Sequence, residues 1–231
     1  MGTREGKFVS RTGHTYKVEF SGDNVTNGTL RLGVPPVVIS MAEGEHKHCG
    51  FKSATAIVNI IADMPMLELY TESATAVQLK VTDVTSSEVE FFGYVVPFAF
   101  DQPFGGNDNI TVNAVDAITA HKDVVYTNFG NPHGTDRKAH DIVTEICRRS
   151  GVYKVAEHRN FTPDGVAGDS YSPLDVNVAQ AGFIQDRVGI VDALSAICKF
   201  FGYTAHLVGD TLMLYDELVI TSEKRYTLWV N

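Results

Sequence analysis

Residues 76–96 read AVQLKVTDVTSSEVEFFGYVV, and the period of this stretch decides the fold class. Val77, Leu79 and Val81 alternate with Gln78, Lys80 and Thr82, the two-residue repeat of a strand with one buried face. Thr85-Ser86-Ser87 supplies turn chemistry. Val89 and Phe91 then alternate with Glu88 and Glu90, so residues 88–96 read as a second strand.

The same texture extends upstream to about residue 7. Lys7–Arg11 and Thr15–Ser21 flank Thr12-Gly13-His14 as a hairpin, with Val18 and Phe20 inward. Gly28–Leu32 and Val37–Met41 read as two strands broken by Gly33-Val34-Pro35-Pro36. Ser53–Ala62 (SATAIVNIIA) is long enough for a helix, but its β-branched residues and the stop at Asp63-Met64-Pro65 favour a strand. About seven short strands with turns every 8–12 residues predict a sandwich or small barrel over 7–104.

Downstream of Gly105-Gly106-Asn107-Asp108, read as a linker, the texture changes. One more strand, Asn109–Val115, precedes two amphipathic helices. Thr135–Ser150 has Thr135 and Asp136 as N-cap candidates, an apolar stripe at Ala139, Ile142, Val143, Ile146 and Cys147, and Gly151 as terminator. Asp186–Phe201 repeats the design, with Asp186 as cap candidate and Gly202 beyond its end. Phe161–Pro173 reads as a loop, and Tyr203–Val208 and Thr211–Tyr215 form a hairpin about Gly209-Asp210. Residues 105–231 are therefore expected to be an α+β domain. Its final strand, Tyr226–Asn231, stops without turn or cap, as if the chain were cut short. The predicted class is mainly β with an α+β part.

Composition narrows the function. The 231 residues, 44% of them hydrophobic, suffice for a core and argue against disorder. A net charge of −9 with scattered basic residues argues against nucleic-acid binding and against adhesion to anionic membranes. No run approaches the length of a membrane span, and Met1–Lys7 is charged with no apolar run behind it. Cys49, Cys147 and Cys198 match no disulfide framework and no zinc spacing.

Chemistry is scarce. Glu43-Gly44-Glu45-His46-Lys47-His48-Cys49 is the one local group with metal-ligating types, since His46 and His48 share a face if extended. Lys47 and Lys52 and the lack of a second half-site favour a solvated loop instead. Asp164–Asp169 lacks the alternating oxygens and closing glutamate of a calcium loop. Asp116, His121, Asp123, His133, His140 and Asp141 could be gathered into an acid–base set only on paper. His140 and Asp141, as helix neighbours, face different ways. No nucleophile elbow, phosphate loop, dinucleotide fingerprint or zincin helix occurs. The expectation is no catalytic, cofactor or metal residue, no cofactor, and no enzyme. Phe91-Phe92-Gly93-Tyr94 and Pro97-Phe98-Ala99-Phe100 are read as core, with a carbohydrate platform as the other option.

In order, several pieces resemble tail proteins of phages and prophages of gut bacteria. They begin with Thr15–Phe20, Val37–Ser40 behind Pro35-Pro36, Ser53–Ala62, Leu69-Tyr70-Thr71 and Val77–Val81. Phe91–Pro97, Gln102-Pro103-Phe104, Ile110–Asp116, Asp141–Ile146, Val191–Leu194 and Phe200–Tyr203 complete the series. The order resembles the N-terminal part of a baseplate hub or tail-associated (tail-tip) protein, in which an F-x-G-Y/W-type strand closes a small tube-type barrel before an α+β insertion. The resemblance implies a homo-oligomeric ring, commonly a trimer, that contacts other tail proteins, extends the tail tube and lets DNA pass. It places the protein in the virion tail after synthesis in the host cytoplasm, supporting host attachment. A host-surface glycan-binding module, with a shelf at Phe98, Phe100 and Phe104, is the alternative.

Overall fold

The computed structural model describes residues 1–41, 50–62, 66–98, 108–125, 137–158, 172–178, 188–216 and 226–230; for 108 and 226–230 only the backbone is described. The first elements are β1 (Gly2–Val9), β2 (Thr15–Gly22), β3 (Gly28–Thr29), β4 (Arg31–Met41), β5 (Gly50–Lys52) and β6 (Ala54–Ala62). β7 (Val77–Asp83), β8 (Glu88–Val95), β9 (Asp108–Asp116) and the one-turn helix α1 (Ala117–Ala120) follow. Then come β10 (Arg137–Lys138), α2 (Ala139–Arg149), β11 (Lys154–His158), β12 (Asn177–Val178) and α3 (Ile190–Phe201). β13 (Tyr203–Val208), β14 (Thr211–Asp216) and β15 (Tyr226–Val230) close the list. The class is mainly β with an α+β part, as the periodicity predicts. The chain divides into two units: 1–42, 53–120 and 208–210 in the first, and 43–52, 121–207 and 211–231 in the second.

The first unit is an eight-stranded sheet in the order β3-β1-β2-β7-β8-β9-β6-β4. Alternation builds its core. Val18 and Phe20, Val77, Leu79 and Val81, Ala56, Val58 and Ile60, and Ile110, Val112 and Ala114 are all buried, at two-residue spacing on their strands. Each fully buried aliphatic or aromatic side chain contributes about 1.5–3 kcal/mol of transfer free energy, so this shared row dominates the unit's stability. The ladder is open rather than a closed barrel. Its two end strands, β3 and β4, are nonetheless consecutive in sequence, with Leu30 between them. The Leu30 N–H donates to the Glu5 carbonyl at 2.7 Å, so the segment that ends the sheet at β4 also touches β1. The sheet is therefore strongly curled about its own core.

Two details differ from the sequence reading. β4 runs unbroken from Arg31 to Met41, and the expected break at residues 33–36 survives as a register shift between Leu32 and Val37. A shift of this kind absorbs prolines that cannot donate to a ladder. β9, read as part of the α+β region, pairs with both β6 and β8 inside the first sheet. Its apolar row Ile110, Val112 and Ala114 has no other core to join. The linker read at 105–108 lies outside the described residues except Asp108, where β9 begins.

Gly93 is required where β8 meets β9. A Cβ there would lie 2.0 Å from the Val115 carbonyl oxygen, so no other residue fits without moving a strand.

The second unit carries a five-stranded sheet, β15-β11-β14-β13-β5, and the small ladder β10-β12. β11 runs parallel to β14 and antiparallel to β15, and β13 runs parallel to β5. The helices use the same spacing. α2 buries Ala139, Ile142, Val143, Ile146 and Cys147, and α3 buries Ile190, Ala193, Leu194, Ile197 and Cys198. Their starts differ from expectation: Lys138 and Gly189 occupy the N-cap positions, and neither provides a side-chain cap. The candidates Thr135, Asp136 and Asp186 lie outside the described residues. Gly202 ends α3 in the left-handed region, at φ 73°, as its position predicts.

Candidate functional site

The polar groups of the first unit chiefly serve its architecture. Asp83, almost fully buried, accepts from His14 Nδ1 at 2.6 Å and from the Thr85 and Ser86 N–H groups at 2.8 and 3.4 Å. The bond from His14, then those backbone donors, hold its carboxyl down at about 2, against a burial penalty that acts upward. Asp83 thereby ties the β1–β2 turn to the β7–β8 turn.

Asp116 ends β9 and starts α1. Its Oδ2 accepts from Ala54 N at 2.8 Å and Thr119 Oγ1 at 2.6 Å, while Oδ1 accepts from Thr119 N at 2.8 Å. Burial raises its pKa despite these donors. Arg4 pairs with Glu68 and donates through Nη2 to Thr26 Oγ1 at 2.9 Å. Glu68 in turn accepts from Thr26 N at 3.1 Å and Thr26 Oγ1 at 2.6 Å. This network braces the return of the chain toward β3.

In the second unit, Glu157 is fully buried. Its Oε1 accepts from Tyr203 Oη at 2.5 Å and from Ser172 Oγ at 3.0 Å. Tyr215 is stacked against His158 at 4.4 Å between centroids and against His206 at 5.1 Å. Burial first, then Lys52 and His158, lowers the His206 pKa. Burial, then Cys198, pushes the Cys147 thiol far above its ordinary value, so it is not a nucleophile at neutral pH.

Among the described residues, these polar groups bond to turns and neighbouring strands rather than to one another as a nucleophile, base and orienting group. Among the described residues, no group of three or more His, Cys, Asp or Glu side chains could hold a metal ion. The Glu43–Cys49 group, the Asp164–Asp169 loop and His133 lie outside the described residues. Asp116 is used in its turn, and His121 and Asp123 lie on the turn after α1. His140 Nδ1 and Asp141 Oδ1, expected to face apart, approach to 3.6 Å, an exposed contact beyond hydrogen-bond length.

The aromatic residues divide between core and surface. Phe91 is 2% exposed, whereas Phe92 and Tyr94 sit on the opposite face of β8. Phe98 is 59% exposed, against a reading of core for its segment. It adopts φ 55°, donates its N–H to the Thr71 carbonyl, and meets Tyr70 edge to face at 5.5 Å. Phe100 and Phe104 lie outside the described residues. Beside Tyr70 opens a cleft of about 500 Å³, lined by Asp23, Asn24, Glu68, Glu72 and Thr75 among others.

The feature that sequence reasoning missed is an edge. β4 ends the ladder, with β6 as its one ladder partner among the described residues. Val34, Val38, Ile39 and Met41 are 95%, 39%, 41% and 50% exposed, and Ile57, opposite Val38, is 37% exposed. No charged residue occurs between Arg31 and Glu43. Charge, brevity, proline and bulges all guard sheet edges; here Pro35-Pro36 and the register shift interrupt β4 between Leu32 and Val37, while Val37–Met41 pairs regularly with β6 and carries no charge. Its signal was in the sequence, as the uncharged β-branched run Val37-Val38-Ile39.

No protein-family model matches the chain, and no curated protein matches it. Among solved structures, it is similar to a tail protein from Neisseria meningitidis MC58, with 12% identity over 93% of this chain and 50% of that one, at a TM-score of 0.43. It is also similar to the 43 kDa tail protein of prophage MuSo2 from Shewanella oneidensis, with 12% identity over 77% of this chain and 52% of that one, at a TM-score of 0.41. The chain spans about half the length of both. A likeness this distant lends no weight to a function, which has to be argued from the chain's own residues.

Proposed function

We propose that the chain is a structural, non-enzymatic component of a phage or prophage tail, placed at the baseplate hub or tail tip. There it extends the tail tube around a DNA passage and contributes to host attachment. It works as a homo-oligomeric ring, with a trimer favoured, in contact with other tail proteins in the virion.

The observation that carries the assembly part is the β4 edge. An assembly protein needs a surface that recruits neighbours, and the Val37–Met41 part of β4 ends the sheet beside exposed apolar side chains. A closed ring satisfies such edges without growing into a fibre. The uncharged run also lets copies of a −9 chain approach where like charges do not oppose them. The tail part rests on the order of elements read in the sequence. Negative-stain electron microscopy of the concentrated protein tests the whole reading. Rings with an open centre are expected; featureless single particles at every concentration contradict it.

A further inference from the structure

We propose that the cleft beside Tyr70 is a saccharide-binding site, which takes a neutral or amino-bearing hexose. The inference rests on the first unit alone and stands whether or not the chain belongs to a tail.

Three observations converge. The cleft, about 500 Å³, is at the small end of the range of ligand pockets and suits one or two sugar rings. Its lining offers hydrogen-bonding groups at the surface: the Asn24 amide, the exposed Glu72 carboxylate, and Asp23, whose side chain is 97% exposed and stands 4.0 Å from the N-terminal amine. Carboxylates and amides of this kind receive and return the hydrogen bonds of vicinal hydroxyls.

The third observation is aromatic. Tyr70 lines the cleft at 47% exposure, and Phe98 stands against it at 59%. The Tyr70 ring, among these polar groups, gives the C–H face of a sugar an apolar surface, and Phe98, outside the lining, braces that ring edge to face. The Phe98 N–H bond to the Thr71 carbonyl fixes its backbone to the cleft wall.

The charge pattern selects within the class. Among the described residues, no Lys, Arg or His lines the cleft, while Asp23, Glu68 and Glu72 do, so an anionic sugar is disfavoured. Glu68 is already held by Arg4 and Thr26, leaving Asp23 and Glu72 to meet the ligand. Two rings set edge to face do not enclose a cation as an aromatic cage does, so a quaternary ammonium ion is not the expected occupant.

Saturation-transfer NMR and titration calorimetry on the full chain test this, with glucose, glucosamine and N-acetylglucosamine as probes. Galacturonic acid and tetramethylammonium serve as the anionic and cationic comparisons. At least one hexose should bind in the millimolar range and lose roughly tenfold or more in both Tyr70→Ala and Asn24→Ala. Asn24 is exposed, so Asn24→Ala tests the site even if Tyr70→Ala disturbs the fold. The proposal is overturned if no hexose binds, if galacturonic acid or tetramethylammonium binds as well as the hexoses, or if Asn24→Ala leaves hexose binding unchanged.

Discussion

Replacing Gly93 by alanine should cost the first unit much of its stability, and the size of the effect follows from one close approach. The added Cβ would lie 2.0 Å from the Val115 oxygen and 2.8 Å from the Val115 carbonyl carbon, both backbone atoms, and 2.9 Å from Phe91 Cε1. Ordinary contact begins near 3.4 Å, so the strands must part by about 1.4 Å (3.4 − 2.0) at this point. A backbone hydrogen bond of ordinary length does not survive that displacement. The β8–β9 register consists of Gly93↔Asp116, Tyr94↔Val115 and Val95↔Ala114, so there is little ladder to absorb it. Overpacking of about 1–3 kcal/mol, plus one or two disrupted backbone bonds at about 0.5–1.5 kcal/mol each, gives a loss of about 2–6 kcal/mol. A domain is typically stable by only about 5–15 kcal/mol. Urea unfolding, followed by amide exchange over residues 77–116, reads the first unit separately. Gly13→Asn is the control, because a side chain at Gly13 meets nothing within 4 Å and asparagine accepts its left-handed φ of 86°. A Gly93→Ala loss below about 1 kcal/mol, with β8–β9 amides still protected, would refute the reasoning.

Three other perturbations probe different parts of the chain. Asp83 is held at about 2 against an ordinary 3.8, so its contribution is fully present above 3.8 and fades as pH falls through about 2. Acid unfolding of the first unit should therefore show a slope in that window that Asp83→Asn lacks. Asp116→Ala removes the acceptor of three buried or half-buried donors and should cost about 2–4 kcal/mol in thermal or urea unfolding. Because burial raises the Asp116 pKa, its own titration favours the fold below 3.8, and that advantage disappears as pH rises through the folded value. Leu194→Ala, at a fully buried position of α3, should cost the second unit about 2–5 kcal/mol, measured by loss of helical circular dichroism with urea.

Periodicity exposed much of this fold, because a buried row on a strand or helix is a local property. Val77–Val81 and the Ile142/Ile146 and Leu194/Ile197 stripes could be read directly for that reason. Pairing was harder. β9 has the same alternation whichever sheet it joins, and only the shared core settles that it lies between β8 and β6. The break at Gly33–Pro36 looked like two strands, since a register shift and a strand end use the same residues. Helix starts were misplaced where sequence favoured a capping side chain and the chain used Lys138 and Gly189 instead. The polar clusters were invisible because their members are remote in sequence: His14 and Asp83 lie 69 residues apart, and Ser172 and Glu157 meet across 15. Exposure of Phe98 stood only as the alternative to a core reading, and its contact with Tyr70 was hidden, because alternation gives a strand's faces but not the outcome of a turn at φ 55°.

Assembly through the β4 edge is the central claim, and light scattering coupled to size exclusion tests it most directly. The chain, of 25.3 kDa, should give a mass that is a defined multiple of this value at high concentration. Ile39→Lys, which places a charge on the exposed edge, should return it to the monomer without lowering the first unit's unfolding midpoint. A monomer at every concentration, or an oligomer indifferent to Ile39→Lys, would contradict the account.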